Sequence, residues 1–429
     1  MDVEFNWDVI IAHGPGCHDG ATAAWAVWRT LSFDYCELLS KRGGFYYSPP
    51  KDDEETEEKI LDAKYVHPNS PEGAMKMQRE GFPVVFVFSQ AGRSVPDELV
   101  KDKRVLILDL DMGEHLVPVV KASKYTTLCD HHDTTMHTLA TNSEVLLGEC
   151  RSKFTMFVDT RKSESGASLA WKLTHGADIP DFVNVVRIGD TWQWDEDPEA
   201  KFILDYLYVK RSFRSFHDIE NTFMAYRSCV KDWIKQGEIL NEYKEGLAKA
   251  MAKHCDLAYL QTKDGNIYTV AYAPVSILKS EVGSKMKYYA EKRFKTKIDF
   301  SAAWTYYPSD GKVQASIRDP GPGLILGDIA RNIDAPGCKG GGHPQASSFT
   351  FDGIENFHKV FLKTSPLWYI AQRRIEFLSE QEPIDQQAIN KELAVITGNA
   401  EPIIETIAEP LSVIDTMSDT STGLMAVVD

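Results

Sequence analysis

Residues 125–133 read YTTLCDHHD, and the fold turns on how that stretch divides. The apolar, β-rich run 125–129 passes directly into Asp130, His131, His132 and Asp133, with no turn residue between. Side chains alternate across a strand, so two neighbouring imidazoles cannot both be buried on one of its faces. Packing therefore does not explain the pair. A strand that ends by delivering polar groups to one edge of a sheet does.

The same event recurs on either side. The apolar run 7–12 ends in His13 and a Gly-Pro-Gly turn, after which come Cys17, His18, Asp19 and a helix over 21–31. Runs 84–88 and 104–110 read as further strands, the second delivering Asp109 and Asp111, and helices are expected over 72–78 and 116–123 between them. Such alternation predicts a mainly parallel sheet with helices on its faces, whose ligands gather at the carboxyl ends of the strands. A helix over 165–173 follows, then an apolar run over 182–188 that closes in Asp190. Phe223, Tyr226, Val230, Trp233 and Ile234 recur at helical spacing in a long helix over about 220–255.

The fold class is therefore α/β: a mainly parallel-sheet domain over 1–219, a helical linker over 220–257, and a smaller C-terminal α/β domain over 258–364. The smaller domain is expected to hold strands over 268–275, 300–307 and 313–318 and a helix over 284–293. Residues 365–429 read as a helical, partly mobile tail, without sustained periodicity from Glu382 onward. The acidic run 51–59 reads as a solvated segment rather than a metal cluster.

Composition narrows the function. The net charge of -16 in 429 residues argues against sequence-independent binding of long nucleic acid, which draws its affinity from Lys and Arg neutralising phosphates. Seven scattered cysteines without a CxxC pair suggest neither a disulfide framework nor a zinc ribbon. No window approaches the ~20 apolar residues that span a bilayer. The expectation is a cytoplasmic protein without membrane contact.

Taken singly, the polar clusters have ordinary explanations: a glycine-rich connection at 13–20, a cap or turn aspartate at Asp111. Four of them, at His13–Asp19, Asp109, Asp130–Asp133 and Asp190, each closing an element of one α/β sheet, are better explained by convergence on a metal site.

The order His13-x-x-x-Cys17-x-Asp19, a strand-terminal Asp109, Asp130-His131-His132 and a later Asp190 resembles the DHH phosphoesterases, which include nanoRNases, RecJ-type exonucleases and family II pyrophosphatases. Ser316-Ile317-Arg318 and Gly340-Gly341-Gly342-His343 resemble the S-x-R strand and GGGH signature of the DHH-associated C-terminal domain of the nuclease branch. The resemblance covers about residues 8–352 and leaves 43–82 and the tail after 382 unmatched.

The resemblance implies two divalent metal ions, and hard carboxylates with imidazoles suit manganese best. His13, Cys17 and Asp109 would hold one, and Asp19, Asp109, His131 and Asp190 the other, with Asp109 bridging. His132 and Asp130 would serve the chemistry, a hydroxide activated by the ions attacking phosphorus. Ser316, Arg318, Gly340, Gly341, Gly342 and His343 would bind substrate, the glycines by letting backbone N–H groups approach a phosphate closely, in a cleft between the domains. The family usually has Asp where this chain has Cys17, and a thiolate shifts metal preference away from magnesium. His18 and Asp111 stand as alternative ligands. The activity implied is hydrolysis of short oligonucleotides or dinucleotides. A RecJ-like exonuclease and a catalytically impaired nucleotide-binding protein are the alternatives, and oligomers stay open.

Overall fold

The computed structural model describes residues 7–30 and 70–396, apart from 15, 83, 160, 162, 177, 343, 364, 366, 382 and 383. The acidic run 51–59, most of 43–82, the end of the tail and His343 lie outside the described residues. Two compact units, Met1–Lys244 and Glu245–Asp429, divide the chain within one helix. No helix among the described residues is long and apolar enough to cross a membrane.

In the first unit the order is β1 (Val9–His13), α1 (His18–Trp28), α2 (Pro71–Arg79), β2 (Val85–Ser89), α3 (Asp97–Val100), β3 (Arg104–Leu108), α4 (Leu116–Ala122) and β4 (Tyr125–Asp130). Then come α5 (Asp133–Thr141), β5 (Phe154–Val158), α6 (Gly166–His175), α7 (Asp181–Thr191), α8 (Glu199–Val209) and the long α9 (Phe216–Ala252). The five strands run β2-β1-β3-β4-β5, and every pairing is parallel. Val9–Ala12 and Val105–Leu108 are buried residue after residue, as both faces of a helix-covered parallel sheet require. Strand order reverses around β1, with β2 on one side and β3 on the other, and that switch point is where such sheets open a crevice.

Aromatic packing fixes α1 against this sheet. Fully buried Trp25 stacks on Trp171 of α6 at 5.9 Å, and its indole N–H donates to Glu220 of α9 at 3.0 Å. Arg29 at the end of α1 pairs with the same carboxylate at 3.1 Å. Asp205 of α8 accepts hydrogen bonds from Asn241 and Lys244, tying α8 along α9. The helix that carries Cys17 and Asp19 at its start is thus locked from its far end.

The second unit contains β6 (Asp256–Gln261), β7 (Ile267–Pro274), α10 (Lys279–Phe294), β8 (Phe300–Tyr307), β9 (Lys312–Arg318), α11 (Leu326–Arg331), β10 (Lys339–Gly342) and β11 (Ala346–Asp352). It closes with α12 (Phe357–Val360), α13 (Leu367–Ser379) and α14 (Gln386–Ile396). Its six strands run β10-β11-β9-β8-β7-β6, antiparallel except for β7 beside β8. Arg373 of α13 reaches Asp299 at 2.5 Å, while the Tyr369 hydroxyl donates to the Ile267 carbonyl at 2.8 Å.

One expectation is corrected here. The stretch after Glu382, read as aperiodic, holds the helix α14, whose Ile389 is buried. Gly340, Gly341 and Gly342 lie in the edge strand β10, paired with Phe349, Ser348 and Ser347. The physical reason is close approach: a Cβ on Gly340 would stand 2.1 Å from the Ala330 carbonyl oxygen, so the bare backbone lets α11 lie on β10. Gly341 meets nothing closer than 4.0 Å.

Gly340→Ala is therefore expected to lower unfolding free energy by about 1–3 kcal/mol through overpacking, whereas Gly341→Ala should stay within about 0.5 kcal/mol of wild type. Urea unfolding of the two variants checks this. Equal effects would remove the packing account of Gly340.

Candidate metal centre

Every cluster singled out in the first unit sits at the carboxyl edge of the parallel sheet. His13 is the last residue of β1, Asp109 follows β3, and Asp130, His131 and His132 close β4. Cys17 is the N-cap of α1, Asp19 lies in its first turn, and Asp190 is in the last turn of α7. Three strands and two helix ends thus reach one place without a long side chain among them.

Asp109 is at the centre. It is 1% exposed, and its backbone is left-handed at φ 53°, a conformation rare outside glycine. Its two carboxylate oxygens face opposite groups. Oδ2 lies 3.5 Å from His13 Nδ1 and accepts from Cys17 Sγ at 3.6 Å. Oδ1 lies 3.2 Å from His131 Nε2 and 3.8 Å from His132 Nδ1. His131 Nε2 is also 3.2 Å from Asp190 Oδ2 and 3.9 Å from Asp19 Oδ2.

The supports are as specific as the cluster. Buried Asp19 accepts backbone N–H bonds from Gly166 at 2.6 Å and Ala167 at 3.0 Å, so the start of α6 neutralises part of its charge. Gly166 also makes room for Asp109, whose Cβ would be 2.3 Å from a Cβ at that position. Asp130 accepts from the His131 backbone N–H at 2.8 Å and from the Thr135 hydroxyl, and its Oδ1 lies 2.7 Å from His132 Nδ1. That hydrogen bond orients the imidazole and leaves Nε2 as its remaining nitrogen. Asp130 is in this sense a positioning residue for His132.

Electrostatics follow from burial and crowding. Burial alone would raise the Asp109 carboxyl, but the adjacent His13 and His131 imidazoles and the charge of His132 hold it well below the usual range. Burial pushes Asp19 well up, with Asp109 and Asp190 beside it adding to the rise. It pushes Asp190 up as well, against the pull of His131. Burial and the same carboxylates raise the Cys17 thiol. Burial opposes charge on His131 and His132, yet Asp109 brings the first up to about 10 and Asp130 the second up to about 9.

Three groups have donor atoms within 4.8 Å of one another: His13, Cys17 and Asp109; Asp19, His131 and Asp190; and Asp109, Asp130, His131 and His132. Asp109 Oδ1 is buried and makes no hydrogen bond, although imidazoles surround it. A cation between the groups would supply what that oxygen lacks, and carboxylate, imidazole and thiol are the donors divalent metals take. The residues fit a bound divalent metal.

The alternative ligands separate from this set. Asp111 accepts from Gly113 N–H at 2.9 Å and Thr138 Oγ1 at 3.3 Å, which makes it a turn aspartate. His18 Nδ1 is 2.6 Å from the Tyr208 hydroxyl, and its Nε2 is buried without a hydrogen bond, but His18 joins none of the donor groups. Sequence reasoning passed over Gly166, Thr135 and Tyr208. Of these only Gly166 had a local signal, the capping pair Ser165 and Ser168 that opens α6.

In the second unit, Ser316 and Arg318 on β9 are one strand away from Gly341 and Gly342, across Ser347 and Ser348 of β11. Arg318 donates to the carbonyls of Ile317 at 2.8 Å and Ser347 at 3.0 Å and to Ser280 Oγ at 3.1 Å. Its Nε is buried without a hydrogen bond. Burial draws its pKa down, against the charge of Glu281. A largely buried guanidinium held by neutral oxygens is suited to an anion.

No family model and no curated protein matches the chain. Among solved structures, the pGpG-specific phosphodiesterase PggH of Vibrio cholerae is similar over 82% of this chain and 95% of its own, at 14% identity and a TM-score of 0.34. A provisionally assigned family II inorganic pyrophosphatase of Methanococcus jannaschii is similar over 72% of this chain and 86% of its own, at 12% identity and a TM-score of 0.23. Both scores fall below 0.5, and the functional reading stands on the residues above.

Unfolded histidine titrates near 6.5. His131 and His132 are raised when folded, so in metal-free protein the stability they contribute is fully present below about 6.5 and is lost as pH rises through about 9 and about 10. The urea midpoint of metal-stripped protein should fall across that window, and less so in His132→Gln. A midpoint that is level over this range, or unchanged in its slope by the substitution, would contradict the assignment.

Proposed function

We propose that this chain is a metal-dependent phosphoesterase that hydrolyses phosphodiester bonds in short oligonucleotides or dinucleotides. The observation that carries the reading is Asp109: a buried carboxylate, set in a left-handed backbone, whose two oxygens serve two donor groups at the switch point of a parallel sheet. Divalent ions bound there, manganese by the chemistry of carboxylate and imidazole donors, would activate water and offset charge on phosphoryl oxygens.

The chain's own residues divide the remaining work. Asp109, Asp19 and Asp190 supply negative charge that holds cations, and His13 and His131 supply neutral donors once deprotonated. His132, oriented by Asp130, presents a nitrogen able to donate to a phosphoryl oxygen. Asp19, tied to two N–H groups of α6, keeps its place while its neighbours bind. On the second unit, Arg318 with Ser316 and the glycine strand would offer an anion a corner of donors of its own.

Substrate size follows from charge. With 63 acidic and 47 basic residues, the chain lacks the excess of cations that tracks a long backbone. A few phosphates held at two metals need no such excess.

The test is hydrolysis of 5'-phosphorylated RNA from dinucleotides to long single strands, with manganese present. Mononucleotide release confined to the shortest members is expected. Asp190→Ala and His131→Ala should lose a hundredfold or more, about 3 kcal/mol, because a metal ion contributes several kcal/mol of charge stabilisation. Preferential degradation of long strands would favour the RecJ-like alternative. No cleavage at any length, with metal bound, would leave a nucleotide-binding protein.

A further inference from the structure

The two halves of the centre differ in donors and in spacing. One half is His13 Nδ1, Cys17 Sγ and Asp109 Oδ2; the other is His131 Nε2, Asp190 Oδ2, Asp19 Oδ2 and Asp109 Oδ1. A tetrahedral zinc with bonds of about 2.3 Å to sulfur and about 2.1 Å to nitrogen or oxygen separates its S and O ligands by about 3.6 Å and its N and O ligands by about 3.4 Å. In the first half the corresponding distances are 3.6 Å, from Cys17 to Asp109, and 3.5 Å, from His13 to Asp109.

An octahedral ion with bonds of about 2.1 Å places adjacent ligands about 3.0 Å apart. The first half is too wide for that. In the second half, His131 lies 3.2 Å from both Asp109 and Asp190, midway between the two geometries, while Asp19 stands wider at 3.9 Å. Donor chemistry is what separates the halves, because a thiolate selects softer ions and three carboxylates select harder ones.

Cys17 is also placed as a ligand rather than as core. Its Sγ accepts the Gly20 N–H at 3.4 Å as the N-cap of α1, where the helix favours negative charge. The second observation is the buried Asp109 Oδ1 without a hydrogen bond, on the carboxylate that both halves share.

We propose that the centre takes two different metals: a borderline, thiolate-preferring ion of the zinc kind on His13, Cys17 and Asp109, and a harder ion such as manganese on Asp19, His131 and Asp190. This rests on the reading that the cluster binds metal and deepens it by naming the class of ion in each half.

The test uses the full chain and cobalt(II) as the spectroscopic stand-in for zinc. Wild-type protein loaded with cobalt should show a near-ultraviolet sulfur-to-cobalt charge-transfer band, absent from Cys17→Asp and Cys17→Ser. Both replacements are good N-cap residues, so the fold is retained. In competition between zinc and manganese, analysed by metal content after gel filtration, wild type should retain one of each. The zinc preference of Cys17→Asp should fall by about tenfold or more, the scale on which altered ligand environments act.

Cobalt binding without the band, a band that survives both substitutions, or identical zinc-to-manganese ratios in wild type and Cys17→Asp would each overturn the proposal. These readouts need no substrate. A band with no RNA hydrolysis sinks the phosphoesterase reading alone, and hydrolysis with no band sinks the mixed-metal proposal alone. Failure to bind any metal sinks both.

Discussion

The carboxylate of Asp109 is the constraint around which the first unit is arranged. A buried charge is tolerated only when opposite charge and hydrogen bonds surround it, and here His13, His131 and His132 come from two other strands to do so. That demand sets the strand order: β1 and β4 must flank β3 for their terminal imidazoles to reach it. It also sets the backbone, since Asp109 turns left-handed immediately after β3 and faces a glycine at the start of α6. The left-handed residue is a local cost of order 1–3 kcal/mol, offset by the network it completes.

Much of this was legible in the sequence because strand-terminal polar residues stand out against apolar runs. His13, Asp109, Asp130, His131 and Asp190 each end an element, and the structure brings them together. What was not legible was long range. The bonds from Gly166 and Ala167 to Asp19 join residues nearly 150 positions apart, and no local pattern announces them. The same holds for the proximity of Tyr208 to His18.

Element assignments failed where the usual signals are weak. Strand β5 is an edge strand with Met156 and Phe157 exposed, so neither alternation nor continuous burial marks it. Strand β6 follows closely on the long helix α9 and is missing from the expected strands. The triple glycine carries no strand signal, because glycine weakens strands. In this sheet the missing side chains are what allow α11 to cover the edge strand. Helix α14 shows only a short apolar stripe, too little to stand out from an acidic segment.

The strand order has a further consequence for how this chain tolerates change. Strand β2 lies at the edge of the sheet and contributes no side chain to the donor groups, whereas the crossover that leads to it carries Cys17 and Asp19. The connections from β3 to β4, which join Asp109 to the two histidines, are short and uninterrupted. Lengthening a crossover adds closure entropy only logarithmically, about 0.6 kcal/mol for each doubling. The exposed turn 90–94 that leaves β2 is therefore a place where sequence can be gained or lost at small thermodynamic cost, without altering the strands that position the centre. Evolution can experiment there while the chemistry stays in register.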